Sequence, residues 1–132
     1  MIMRNKGGNK RIGAWGERAA ADYLTRLGYR IVATNVHMRF AEIDIVAESS
    51  DNEISFIEVK TRVNAYSGEA ERSLTKNKIR HLYTAARLFC LQRGIDLNYT
   101  NVIFEHISIY IFEGSDRVVL KKYLIPSAYG YV

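Results

Sequence analysis

The chain has 132 residues, 48% of them hydrophobic and 25% charged, with a net charge of +5 from 19 basic and 14 acidic side chains. That length fits one domain around one core. Its single cysteine, Cys90, excludes an internal disulfide and a zinc site built from several thiolates. No apolar run approaches the ~18 residues needed to cross a bilayer, and the start lacks a signal-peptide core, so the expectation is a cytoplasmic protein with no membrane partner.

The charge is unevenly spread. Residues 1–11 carry Arg4, Lys6, Lys10 and Arg11 without an acid, and residues 72–93 carry Arg72, Lys76, Lys78, Arg80, Arg87 and Arg93, again without one. Positive segments attract polyanions by counterion release, which makes nucleic acid the expected partner.

Residues 1–11, with Gly7 and Gly8 and no periodicity, read as a disordered basic arm before a single domain over residues 12–132. A helical pattern covers Gly13 to Leu27 and stops at Gly28. Within it Glu17 lies at the edge of the inward face, an unusual place for a merely solvated acid. Tyr29 to Thr34 reads as a short strand, and Ala41 to Glu48 alternates as a second. After a polar turn at residues 49–53, Ile54 to Lys60 forms the return strand. Thr61 to Ala70 reads as a loop. A second helix runs from about Thr75 to Arg93, with Ile79, Leu82, Tyr83, Ala86, Phe89 and Cys90 on its apolar stripe and Gly94 as its stop. Asn101 to Phe112 and Arg117 to Ile125 are strand-like, and the only proline, Pro126, closes the last. The expected fold is α/β: a mixed central sheet flanked by helices, in the order α-β-β-β-α-β-β.

A hairpin centred on Asp51 pairs residues whose numbers sum to 102. Asp44 then faces Glu58 and Glu42 faces Lys60, with opposed β-carbons ~4.5–5.5 Å apart. Two opposed acids repel and raise each other's pKa unless a cation lies between them. Mg²⁺ or Mn²⁺ suits such oxygen ligands, and the backbone carbonyl of Val59 is available as a third. Lys60 is placed to hold a water or to neutralise phosphate charge, so the set suits metal-assisted phosphodiester hydrolysis. An ordinary cross-strand ion pair between Glu42 and Lys60 is the plainer explanation of the same spacing. On the second helix, Lys76, Lys78 and Arg80 suit the phosphate backbone, as does Arg62 after the return strand; the plainer account is a solvated basic face. His106, among isoleucines, reads as structural.

Several of these residues fall in motifs. Gly13-Ala14-Trp15-Gly16-Glu17, Asn35, Glu42-Ile43-Asp44-Ile45-Val46 and Phe56-Ile57-Glu58-Val59-Lys60-Thr61-Arg62 resemble the signatures of the YraN-like proteins, as do Tyr66-Ser67-Gly68, Lys78, Phe104-Glu105 and Ala128-Tyr129. That family is placed in the restriction-endonuclease-like, PD-(D/E)XK nuclease fold and is similar to archaeal Holliday-junction resolvases. The resemblance implies metal ligation by Asp44 and Glu58, Lys60 as the catalytic lysine, Glu17 as an accessory acid and, because related resolvases work as dimers on branched DNA, a homodimer; the expected substrate is DNA, branched or single-stranded. The chain departs from the pattern at Ala41, where the family has glycine, and at Ile103-Phe104-Glu105, where it has Arg-Phe-Asp. A nuclease fold that binds nucleic acid or a protein without cutting is the alternative.

Overall fold

The computed structural model describes residues 6–39, 41–65 and 68–126. Five strands, β1 (Arg30–His37), β2 (Glu42–Ser50), β3 (Glu53–Val63), β4 (Asn101–Ile111) and β5 (Val118–Leu124), form one sheet in chain order. Helix α1 (Lys6–Arg26) precedes them, and α2 (Glu69–Arg72) and α3 (Lys76–Arg93) lie between β3 and β4. The β3–β4 pair is parallel and the other neighbours are antiparallel. A parallel pair needs a crossover, and α2 and α3 supply it. The expected mixed sheet with flanking helices is therefore present.

Each face of the sheet has its own core. Ile43, Val46, Phe56 and Phe104 pack with Ile79, Leu82, Tyr83, Phe89 and Cys90 of α3. Phe56 meets Phe89 edge-on at 5.7 Å and Phe104 in a stack at 5.8 Å, while Tyr83 meets Phe104 edge-on at 4.1 Å. Each such pair contributes about 0.5–1.5 kcal/mol beyond its buried area. On the other face Ala20 and Leu24 of α1 cover Ile45, Ala47, Ile57, Ile107 and Ile109. Gly16 lets α1 approach β3 closely, because a Cβ there would sit 1.9 Å from Thr61 Oγ1.

Helix α3 matches its sequence signals. Thr75 caps it by accepting a 3.2 Å bond from the Lys78 amide, and Gly94 ends it at a left-handed φ of 66°.

Five expectations change. The boundary at residue 11 falls inside α1, which begins at Lys6, since nothing from Asn9 to Ile12 stops a helix. Residues 1–5 lie outside the described residues, as do the Tyr66-Ser67 and Ala128-Tyr129 motif positions. Strand β1 continues past Thr34 to His37, and β3 continues past Lys60 to Val63. The segment read as a loop also runs into the short helix α2, which begins at Glu69. Finally, β2 does not alternate strictly: Ile43 joins the α3 side with Val46, whereas Ile45 and Ala47 join the α1 side. The phase changes at Asp44.

Candidate metal centre

The hairpin register holds where it can be read. Ile45 pairs with Ile57, Val46 with Phe56, Ala47 with Ser55 and Glu48 with Ile54, all summing to 102. Pairing between β2 and β3 then ends at Ile45, so Asp44 and Glu58 are not a ladder pair. Strand β2 keeps its partner on the other side, with Val36 opposite Ile43 and His37 opposite Glu42. It parts from β3 alone.

Asp44 fills the opening. Its Oδ2 accepts a 2.7 Å hydrogen bond from the Val59 amide, in place of the carbonyl that a continuing ladder would offer. The N–H and C=O of one strand residue project to the same edge, so the Val59 carbonyl faces the same opening. Asn35 stands across β1 from Asp44, between the pairs Thr34–Ile45 and Val36–Ile43, with a left-handed φ of 51°. Asparagine tolerates that conformation better than most residues. Its side chain also hydrogen-bonds Glu17, the acid from α1.

Glu42 is a correction. It pairs with His37, whose Nδ1 lies 3.2 Å from its Oε1 in an exposed contact, and not with Lys60. The splay of β2 away from β3 carries it off.

The remaining predicted residues converge. Asp44 and Glu58 are partly buried and hydrogen-bond each other. Burial, the charge of Glu58 and that of Glu17 push the Asp44 carboxyl up to about 8, against the lowering effect of the Val59 amide. Burial also raises Glu58, with Lys60 and Lys78 pulling the other way. The raised pair retains a proton between the two carboxyls. Glu17 is raised by burial and by Glu42, and the Asn35 amide opposes this. Lys60 is lowered by burial and by the cations Arg62 and Lys78. Four groups from α1, β2 and β3 thus share one field, with Lys78 of α3 at its edge. Lys76, Lys78 and Arg80 are exposed on the first turns of α3, and Arg62 is partly buried on β3.

The donor set fits a hard cation. Two partly buried carboxylates hold a proton well above the ordinary range, and a divalent ion would replace it. Among the described residues no three His, Cys, Asp or Glu side chains gather into a ready-made ligand group. Asp44, Glu58 and the Val59 carbonyl would therefore hold the ion together with water or phosphate, as suits Mg²⁺ and Mn²⁺.

The profile of the uncharacterised protein family UPF0102 matches residues 16–109. This chain belongs to that family. The matched span contains Glu17, Asp44, Glu58, Lys60 and Lys78, and it is the family to which the Glu42–Val46 and Phe56–Arg62 motifs pointed. A UPF0102 protein of Syntrophomonas wolfei is 37% identical over 110 residues, covering 83% of this chain and 93% of its own. One from Trichlorobacter lovleyi is 34% identical over 122 residues, covering 92% of each chain. One from Clostridium botulinum is 40% identical over 87 residues, covering 66% of this chain and 70% of its own.

For this UPF0102 member, two features escaped sequence reasoning. The parallel register places His106 beside Glu58 and Ser108 beside Lys60, so β4 shares the face of the acids. Glu105 lies on the opposite face, 2% exposed, where Ser55 Oγ and Tyr29 OH donate to its Oε1 at 2.7 and 2.8 Å and Lys122 Nζ to its Oε2 at 2.6 Å. Glu105 is thus a structural anchor away from the site. Neither pairing has a local sequence signal, because both depend on a crossover of 37 residues between β3 and β4. Among the described residues no helix is long and apolar enough to cross a membrane.

Proposed function

We propose that this protein is a divalent-metal-dependent endonuclease, hydrolysing phosphodiesters in DNA on a restriction-endonuclease-like core. The observation that carries it is the Asp44–Glu58 pair, brought together and partly buried at the edge where β2 leaves β3, with Lys60 on the same strand as Glu58. A pair of this kind serves stability poorly, since burying two like charges costs free energy. It suits a site that waits for a cation.

When bound, Mg²⁺ or Mn²⁺ would supply Lewis acidity toward the phosphate and lower the pKa of water. Asp44 and Glu58 would hold it, with the Asp44 orientation fixed by the Val59 amide. Lys60, its pKa lowered, would donate a hydrogen bond to the nucleophilic water or the phosphate oxygen. Glu17 would orient a further water from α1. Arg62, Lys76, Lys78 and Arg80 would bind the flanking phosphates. The resemblance to resolvases supports DNA and a homodimer, and a branched or single-stranded substrate and a cytoplasmic setting are further parts of the same proposal.

Labelled duplex, single-stranded, flap and four-way-junction DNAs, each with Mg²⁺, Mn²⁺ or EDTA, test it beside a Lys60→Ala control. Metal-dependent cutting by the wild type alone supports the nuclease. Binding without cutting under every metal condition would overturn it in favour of a non-catalytic binding module.

A further inference from the structure

Beside the acid pair, on the same face of the sheet, lies a second feature. A cavity of about 530 Å³ opens between α2, the start of α3 and the last strand, lined by Glu71, Leu74, Lys76, Ile79, His106 and Tyr123 among others. His106 is the register partner of Glu58 on the neighbouring strand. Adjacent strands stand about 4.8 Å apart, so the cavity begins one strand-step from the candidate metal centre.

Its lining is a mixture with a purpose. Leu74 and Ile79, with Ile125 and Pro126, give apolar walls. The imidazole of His106 is 2% exposed; its Nε2 shares a 2.9 Å hydrogen bond with Ser108 Oγ, while Nδ1 is buried with no hydrogen-bond partner among the described residues. Burial lowers the His106 pKa, with Glu71 opposing and Lys60 adding to it, and Nδ1 stands in this lining residue as a ring nitrogen with no partner among the described residues. The Glu71 carboxylate accepts from Tyr123 OH at 2.9 Å and from Tyr110 OH, which holds it fixed with lone pairs to spare. Lys76 is the exposed cation at the margin.

From the apolar walls, the fixed acceptor and the unsatisfied ring nitrogen, we infer that this cavity receives an unpaired nucleobase of the strand whose phosphate the acid site engages. The walls take the base faces, and Glu71 and His106 Nδ1 take the polar edge, where exocyclic amino groups and ring nitrogens lie. Lys76 meets the adjoining phosphate. A base is one sugar away from its own phosphate, which matches the single strand-step between His106 and Glu58. A paired base cannot enter, so the cavity selects single-stranded or locally opened substrate. This inference rests on the proposed function, whose metal site can be measured separately.

The test measures binding of a short end-labelled single-stranded DNA by fluorescence anisotropy in Ca²⁺, with one abasic residue moved through every position. Wild type is expected to lose about tenfold in affinity at one or two positions, the loss typical of a removed base contact. His106→Leu should bind the intact strand about tenfold more weakly and show no further loss with the abasic strand. Tyr123→Cys blocked with N-cyclohexylmaleimide should behave likewise; Tyr123 is the register partner of His106, lines the cavity and is 39% exposed, and Cys90 is buried and does not compete. Equal affinity at every abasic position, or base sensitivity retained in both altered proteins, would overturn the cavity assignment. Displacement of the strand by deoxynucleoside monophosphates at strand-like concentrations would overturn the strand as source and make the occupant a free nucleotide. The Mn²⁺-induced rise in Tm reports on the acid site alone: present in all variants, it leaves the proposed function standing whatever the cavity does, and absent in the wild type, it removes the metal centre and not the base pocket.

Discussion

Asp44 Oδ2 and the Val59 amide are joined by a 2.7 Å hydrogen bond at the one rung where β2 and β3 have ceased to pair. The bond does two things. It satisfies a strand amide that the missing ladder would leave bare, and it holds the carboxylate beside Glu58. Opening the ladder is thus what builds the acid pair.

The pair makes stability depend on pH in an unusual direction. The Asp44 pKa is raised from 3.8 to about 8, so the folded protein holds a proton that the unfolded chain releases. The stability this gives is full below about pH 4 and is lost as pH rises through about 8. In EDTA the Tm should therefore fall by about 5 °C or more between about pH 5 and pH 8 relative to Asp44→Asn. The difference between the two proteins isolates the site from His106, whose lowered pKa acts oppositely across the same window. Mn²⁺ should reverse the wild-type fall at the alkaline end and leave Asp44→Asn unmoved. Parallel melting curves for the two proteins would expose the assignment as mistaken.

Asn35 has two tasks that substitutions can separate. Its backbone sits at φ 51°, and its side chain restrains Glu17. Asn35→Gly keeps the first and loses the second, whereas Asn35→Ala loses both. Thermal melts in EDTA should place Asn35→Ala about 1 kcal/mol below Asn35→Gly, the cost of a left-handed residue with a Cβ. Both should weaken the Mn²⁺ response in Tm to a similar degree, since Glu17 is released in each. A Gly variant less stable than the Ala variant would contradict this division.

How much of this the chain discloses depends on distance along it. The hairpin register was legible because Asp44 and Glu58 lie on strands joined by a short turn, and the Ile45–Ile57 pair confirms the count. Glu42 went astray because alternation presumes a regular ladder, and the phase change at Asp44 needs the left-handed Asn35 on a strand expected to end at Thr34. Thr75 and Gly94 bounded α3 because capping is local chemistry. The companionship of Glu58 with His106, and of Ser55 with Glu105, is set by a parallel crossover whose register no turn records.

Glu105 and Lys122 form a largely buried ion pair, with side-chain exposures of 3% and 25%. Removing one partner strands the other. Lys122→Met should cost about 2–4 kcal/mol, discounted from a fully buried case because the ammonium reaches solvent. Adding Glu105→Gln to it should recover part of that loss, since Tyr29 and Ser55 can still donate to the amide oxygen. Urea unfolding of the two singles and the double gives the coupling. Additive losses would show that the pair is no pair energetically. Mn²⁺ binding should be unchanged throughout, because Glu105 shares the face of Ile57 and not that of Glu58.

Lys76, Lys78 and Arg80 belong to one exposed stretch at the start of α3. Lys78 acts electrostatically on both Glu58 and Lys60, among the larger influences on each. If all three neutralise phosphates, each substitution to Ala should weaken DNA binding and reduce the slope of log K against log salt by about 0.7–0.9. Lys78→Ala should do one thing more. By removing a charge that lowers the Glu58 pKa, it should raise the pH at which Mn²⁺ begins to increase Tm, because protons then compete more strongly for the site. Salt titrations of DNA affinity and pH titrations of the Mn²⁺ response separate the two effects. A basic face that is merely solvated would leave the salt slope unchanged in all three variants while Lys78→Ala still shifted the pH response. A slope change without the pH shift in Lys78→Ala would assign that lysine to the phosphate track alone.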